Sequence, residues 1–185
     1  ASECFMPLSY GGGITSKIIA DKLFSLGIEK ICIQDYNFES FKLTESIAKK
    51  YGNQSVIFSV DIKRNFFGKK KLYRTSKSKF YNLDYINFIK TGIDHGAGEI
   101  LLTSVDNEGT MNGLDNELIN EVSQNISVPL IASGGVGNLD HIVEGIKSGA
   151  SAIAIGSFFV FKGPLRGVLI FYLNNNDLKI VNSYV

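Results

Sequence analysis

Six short apolar runs, each leaving through a turn into a stretch of helical periodicity, restrict this chain to folds built from repeated βα units rather than hairpins. The runs cover residues 5–10, 30–34, 56–62, 99–105, 129–133 and 152–159. Most read as continuous apolar strands, the pattern of parallel strands buried on both faces under helices. Between them, 16–26, 41–51, 83–92, 116–124 and 139–148 carry apolar residues at steps of three and four, which predicts helices. Gly27, Gly52, Gly96 and Gly149 fall where a left-handed cap would end a helix before the next strand. SerLeuGlyIleGluLysIle, HisGlyAlaGlyGluIle and LysSerGlyAlaSerAlaIle all occupy this helix-to-strand position, a quasi-repeat of one module.

No Pro-rich or Ser-rich linker interrupts the 185 residues, so 1–185 is expected as one domain. The expected architecture is α/β, a (β/α) barrel. A closed barrel of this kind takes eight strands and about 250 residues. About six βα units are visible, so the expectation is an N-terminally incomplete barrel or an open six-stranded derivative. One segment, 65–78, breaks the rhythm: GlyLysLysLysLeuTyrArg alternates polar and basic residues. It is expected as an exposed ribbon, either a solvated charge run or a flap on a substrate's anionic groups.

Nineteen basic residues stand against 18 acidic ones, a net charge of +1. No global field draws the chain to nucleic acid or an anionic membrane, and neither is expected as a partner; any anion must be held by a local site. Cys4 and Cys32 lie in apolar stretches without CxxC spacing. They are expected as core residues in a reducing cytoplasm, with neither a disulfide framework nor a zinc site. There is no charged n-region with an apolar h-region and no run of about 18 apolar residues. A cytoplasmic location is the expectation.

Two glycine clusters follow strands directly, SerTyrGlyGlyGlyIleThr at 9–15 and AlaSerGlyGlyValGly at 132–137. Glycine lets a backbone approach phosphate oxygens closely, and a following helix N-terminus adds a favourable dipole. A third turn, AlaIleGlySerPhePhe, ends the last run at 154–159. Loops after the last two strands of such barrels commonly cradle a phosphate. Gly134, Gly135, Gly156 and Ser157 therefore fit one phosphate, and Gly11, Gly12 and Gly13 a second. The competing explanation is that these glycines only make tight turns.

Two carboxylates end strands: Asp61 in SerValAspIleLysArg and Asp106 in LeuLeuThrSerValAspAsnGluGlyThr. A partly desolvated carboxyl at that position can act as general acid or base. Asp106 is the stronger catalytic candidate, with Thr103, Ser104 and Thr110 as small hydrogen-bonding groups around it. Asp61 is either a supporting residue or an ion-pair partner of Lys63 or Arg64. Lys63 and Ser133 complete the supporting candidates. His95 and His141 are expected at the surface, and no metal or cofactor signature is present.

GlyGlyGlyIle at 11–14, AspIleLysArg at 61–64, GlyAlaGlyGluIleLeuLeuThrSerValAspAsnGluGlyThr at 96–110, GlyLeuAsp at 113–115 and ValProLeuIleAlaSerGlyGlyValGly at 128–137 stand in one order along the chain. They resemble the hallmark segments of the cyclase subunit of imidazole glycerol phosphate synthase. The resemblance implies a TIM (β/α)8 barrel that takes ammonia from a separate glutaminase subunit, with which it forms a heterodimer. It implies that ammonia attacks a bis-phosphorylated ribulosyl-formimino nucleotide, giving imidazole glycerol phosphate and AICAR in histidine biosynthesis, without a cofactor. Two aspartates serve there as acid and base; Asp106 matches the second, and no segment of this sequence matches the first.

Two features depart from the family. IleGlnAspTyrAsn at 33–37 stands where the family has an asparagine and a small hydroxyl residue that hold phosphate. The stretch 158–170, PhePheValPheLysGlyProLeuArgGlyValLeuIle, resembles a divergent branch tied to amidination of surface-polysaccharide sugars, as does the ribbon after AspIleLysArg. The alternatives left open are that paralogue, partnering a glutaminase in acetamidino-sugar synthesis, a noncatalytic ammonia-channelling barrel, and an unrelated phosphosugar barrel such as an isomerase.

Overall fold

A computed structural model describes residues 6–163 and 165–184. Cys4 and Phe5, the start of the first apolar run, lie outside the described residues. The elements in chain order are β1 (Ser9–Gly11), α1 (Lys17–Ser25), β2 (Lys30–Ile33), α2 (Lys42–Tyr51), β3 (Val56–Arg64), β4 (Lys70–Arg74), β5 (Lys79–Tyr81), α3 (Tyr85–Asp94) and β6 (Glu99–Ser104). They continue as α4 (Asn116–Ser123), β7 (Leu130–Ser133), α5 (Leu139–Lys147), β8 (Ala152–Ala154), α6 (Ser157–Val160), β9 (Phe161–Lys162), β10 (Gly167–Val168) and α7 (Asn175–Asn182).

The main sheet runs β1-β2-β3-β6-β7-β8, with parallel pairing at β1–β2, β2–β3 and β7–β8. A helix separates each of these strands from the next, the topology of a partial (β/α)8 barrel, as expected. Helix starts follow local chemistry: Ser16, Asp84, Asp115 and Asn138 each accept a hydrogen bond from the backbone N–H three residues on.

By packing, the chain forms two compact units, Ala1–Val60 with Lys71–Leu101, and Asp61–Lys70 with Leu102–Val185. In the first, Ile14, Ala20, Ile31, Ile33, Leu43, Ile47, Ala48 and Val56 form a buried cluster. An aromatic group adjoins it, with Phe58 edge-on to Phe41 at 5.6 Å and to Phe88 at 5.3 Å. In the second, Leu118, Ile119 and Val122 of α4, Leu130 and Ala132 of β7 and Ile142 of α5 are buried.

Three expectations about elements need correction. Burial on both faces holds for β3, but β2, β6 and β7 alternate buried and half-buried residues and β1 is exposed throughout. Cys32 belongs to that half-buried set and is not a core residue. The last run stops as a strand at Ala154, and Ser157–Val160 is a helical turn in which the Phe159 N–H donates to the Gly156 carbonyl. There Phe158 and Phe159 pack on Phe171, at 5.1 and 5.9 Å. The segment 65–78 is only partly an exposed ribbon. Its tip, Phe66 and Phe67, is exposed, but Leu72, Tyr73 and Arg74 are buried in β4, which pairs with β3 and antiparallel with β5.

Candidate functional site

Gly11 ends β1, Gly12 and Gly13 follow it, and the three line a cavity of about 540 Å³ in the first unit, with Cys32, Gln34, Asp35, Tyr36, Glu39, Arg74 and Ser76 among its other walls. Arg74 enters from β4 with a side chain only 4% exposed. Its Nε and Nη2 donate to the two Asp35 oxygens at 2.6 and 2.7 Å, and Nη1 donates to Glu39 Oε1 at 2.6 Å. This bidentate fork is the strong form of a charged hydrogen bond. Ser76 donates to Asp35 as well, and Lys77 stands 3.3 Å from Glu39. The Arg74 hydrogen bonds hold the Asp35 carboxyl down at about 2, against the opposing effect of burial, with Ser76 helping. Glu39 is lowered by Arg74 first and Lys77 second, and Arg74 is raised chiefly by Asp35. No part of this network was anticipated from sequence, because Arg74 sat in a basic run that reads as surface.

In the second unit, Asp106 lies in the loop after β6. It is exposed rather than partly desolvated as expected, and its Oδ2 accepts the Arg64 backbone N–H at 2.7 Å. The Arg64 side chain turns to Asp115 Oδ2 at 3.0 Å, while Asp115 Oδ1 caps α4 through the Leu118 N–H at 3.0 Å and faces Lys70 at 3.5 Å. The motif AspIleLysArg therefore meets the Asp106 loop through its arginine. Asp61 and Ser104 are buried, and Lys63 and Thr103 are half-buried. Thr110 donates to the Asn107 carbonyl at 2.8 Å, so its hydroxyl shapes the loop.

Gly134, Gly135, Gly156 and Ser157 do come together, around a narrow cleft they share with Glu108, Gly109, Val136 and Ala154. Its free volume is about 10 Å³, room for one water. Glu108 is exposed on the rim, with Oε2 3.5 Å from the Ser133 hydroxyl. Gly134 and Gly135 have φ of 101° and 105°, and a Cβ there would come within 2.6 Å of the Ser104 carbonyl oxygen and 2.0 Å of that of Gly113. The fold alone demands glycine at both. At Gly156, with φ of −113°, an added Cβ meets nothing within 4 Å, so packing gives no reason for glycine. Arg166, at φ of 50°, donates to the Gly109 carbonyl at 2.6 Å and braces the loop beside the cleft. Sequence reasoning missed Glu108 and Arg166.

The histidines are half-buried rather than at the surface. His95 stacks on Phe41 at 5.2 Å, and His141 Nδ1 accepts the Gly137 N–H at 3.1 Å. Among the described residues no group of three or more His, Cys, Asp or Glu is assembled for a metal, and no helix is long and apolar enough to cross a membrane.

Parallel strands alternating with helices, with glycine-lined loops directly after strands, define a protein of the (β/α)-barrel class. Residues 1–165 match the model of the family described as Histidine biosynthesis protein, and the chain belongs to that family. It is 38% identical over 181 residues to a Pseudomonas aeruginosa protein provisionally named imidazole glycerol phosphate synthase subunit hisF2, covering 97% of this chain and 72% of that one. A Vibrio vulnificus protein, provisionally named subunit hisF3, is 38% identical over 184 residues, covering 97% and 70%. A Leptospira borgpetersenii protein with the provisional subunit name HisF is 37% identical over 181 residues, covering 96% and 70%. These names make the relatives subunits of one kind of synthase.

Proposed function

We propose that this chain is the ammonia-accepting barrel subunit of an imidazole glycerol phosphate synthase-type enzyme, working in the cytoplasm with a separate glutaminase subunit. Asp106 is its general acid or base, acting on a phosphorylated, sugar-derived substrate. The observation that carries this reading is the setting of Asp106. The carboxylate is exposed on the loop after β6, and a backbone N–H holds one of its oxygens at 2.7 Å. A carboxylate so oriented can exchange a proton with a bound substrate.

The substrate phosphate is assigned to Gly134, Gly135, Gly156 and Ser157, where the unforced glycine at 156 lets an anion approach the backbone. Glu108 must swing off the cleft for that phosphate to enter. Ser104, Ser133, Thr103 and Thr110 support the two loops, and Asp61 and Lys63 lie on the strand that delivers Arg64. The first reaction to assay is cleavage and ring closure of the ribulosyl-formimino nucleotide to imidazole glycerol phosphate and AICAR. A second reading, the paralogue in acetamidino-sugar synthesis, is favoured by one observation: the Asp35–Arg74–Glu39 network in the cavity beside Gly11, Gly12 and Gly13.

The test is ammonia-driven turnover of the ribulosyl intermediate by the full gene product, beside its Asp106→Asn variant. Loss of about 10²–10⁴-fold in kcat with an unchanged melting profile is expected for removal of a general acid or base. Equal rates in the two proteins would remove Asp106 from the chemistry. A folded, glutaminase-binding protein that leaves the intermediate untouched would select the second reading.

A further inference from the structure

We propose that Arg166 is the cation that receives the substrate phosphate in the cleft formed by Gly134, Gly135, Gly156 and Ser157. This deepens the proposed function above and rests on its assignment of a phosphate to that cleft.

The cleft by itself is short of positive charge. Of the described residues that wall it, Glu108 alone carries a formal charge, and that charge is negative. A phosphate monoester carries about −1.5 to −2 at pH 7. Glycine N–H groups and the Ser157 hydroxyl can hydrogen-bond such an anion but cannot balance it.

Arg166 brings a cation to this wall. Its Nη2 donates to the Gly109 carbonyl at 2.6 Å and lies 3.4 Å from the Thr110 carbonyl. Gly109 stands beside Ser157, since a Cβ built on it would lie 3.9 Å from the Ser157 Oγ. The guanidinium is therefore one residue removed from the place assigned to the phosphate. The backbone agrees with this reading. Arg166 has φ of 50°, at the end of a turn in which its N–H donates to the Gly163 carbonyl at 3.0 Å. Glycine takes that conformation freely and arginine does not, so an arginine kept there points to a role for its side chain.

The cation is also available. Among the described residues Arg166 forms no ion pair, and its hydrogen bonds go to neutral carbonyls. Arg64 and Lys70, by contrast, are engaged with Asp115 and Glu117. A guanidinium exchanges a carbonyl for a phosphate favourably, because the new bond joins two charges and fits the planar fork. Arg166 is exposed, which leaves its side chain room to turn. The cleft now has room for one water, so the exchange accompanies the outward swing of Glu108. The carboxylate leaves the rim as the phosphate enters, and Arg166 closes on it.

Amide resonances of the full gene product report the ligand, with inorganic phosphate as the probe. In the wild type Gly134, Gly135, Gly156 and Ser157 are expected to shift saturably. Arg166→Gln keeps a neutral donor for the Gly109 carbonyl and removes the charge, so it should weaken phosphate by about tenfold or more. Arg166→Lys, which keeps the charge without the fork, should fall between the two. Urea unfolding shows that each variant is folded. A Gln variant that binds at the wild-type midpoint would overturn the role of Arg166. Equal losses in both variants, with Gly109 and Thr110 displaced before phosphate is added, would also overturn it, because Arg166 would then only brace the loop. Phosphate that leaves all four wild-type resonances unmoved would remove the phosphate assignment itself, and this proposal with it. Asp106-dependent turnover judges the catalytic part of the proposed function separately.

Discussion

A methyl group at position 156 distinguishes a glycine kept for a ligand from one kept for the fold. Gly156→Ala places a Cβ in open space at an ordinary φ of −113°, so the melting temperature should hold while phosphate binding weakens at least tenfold. Gly135→Ala forces a Cβ to within 2.0 Å of the Gly113 carbonyl oxygen at a φ of 105°, and should cost more than about 3 kcal/mol of stability. Calorimetry with and without phosphate separates the two effects. The glycines were legible in sequence, but which of them the backbone requires was not, because that depends on the carbonyls of Ser104 and Gly113, brought close only by the fold.

Asp35 carries a pH signature. Its carboxyl sits at about 2 in the folded chain against an ordinary 3.8, so the unfolded chain binds the proton more readily. The stabilisation is complete above about pH 4 and is lost as the pH falls from about 4 through about 2. Glu39, also lowered by Arg74, shifts stability in the same direction. The stability gap between wild type and Asp35→Asn in urea unfolding should therefore close across that window. A gap constant with pH would mean that solvent screens the pair.

Among the elements, α3 shows how packing overrides propensity. Alanine is favoured over glycine in a helix by about 1 kcal/mol. A Cβ at Gly92, however, would lie 2.2 Å from Cδ1 of Phe58. Phe58 is fully buried between Phe41 and Phe88 and has no room to step aside. Gly92→Ala should therefore lower stability by about 1–2 kcal/mol net, read from the urea midpoint at unchanged slope. The helices α1 to α5 follow the apolar periodicity, because each buries apolar residues along one stripe and all but α2 carry a side-chain N-cap. Two elements were misread. Residues 70–74 look like a surface charge run, yet Arg74 is buried because Asp35 and Glu39, far away in sequence, neutralise it. Residues 155–159 look like strand, yet Gly156 breaks the extended backbone and the phenyl rings find Phe171.

At the scale of the whole molecule, β1 and β8 stand at the two ends of the strand order among the described residues, and β1 is exposed at all three of its residues. The βα order, the helix limits and the family membership follow from the sequence by itself. Hydrophobic periodicity, capping residues and short motifs act over a few residues and are written contiguously. The direction of Arg74, the split between required and unforced glycines, and the exposure of Asp106 were decided only by tertiary structure. Each depends on charges, carbonyls or solvent brought close by residues remote in the chain, and burial energies are set by those neighbours rather than by residue type.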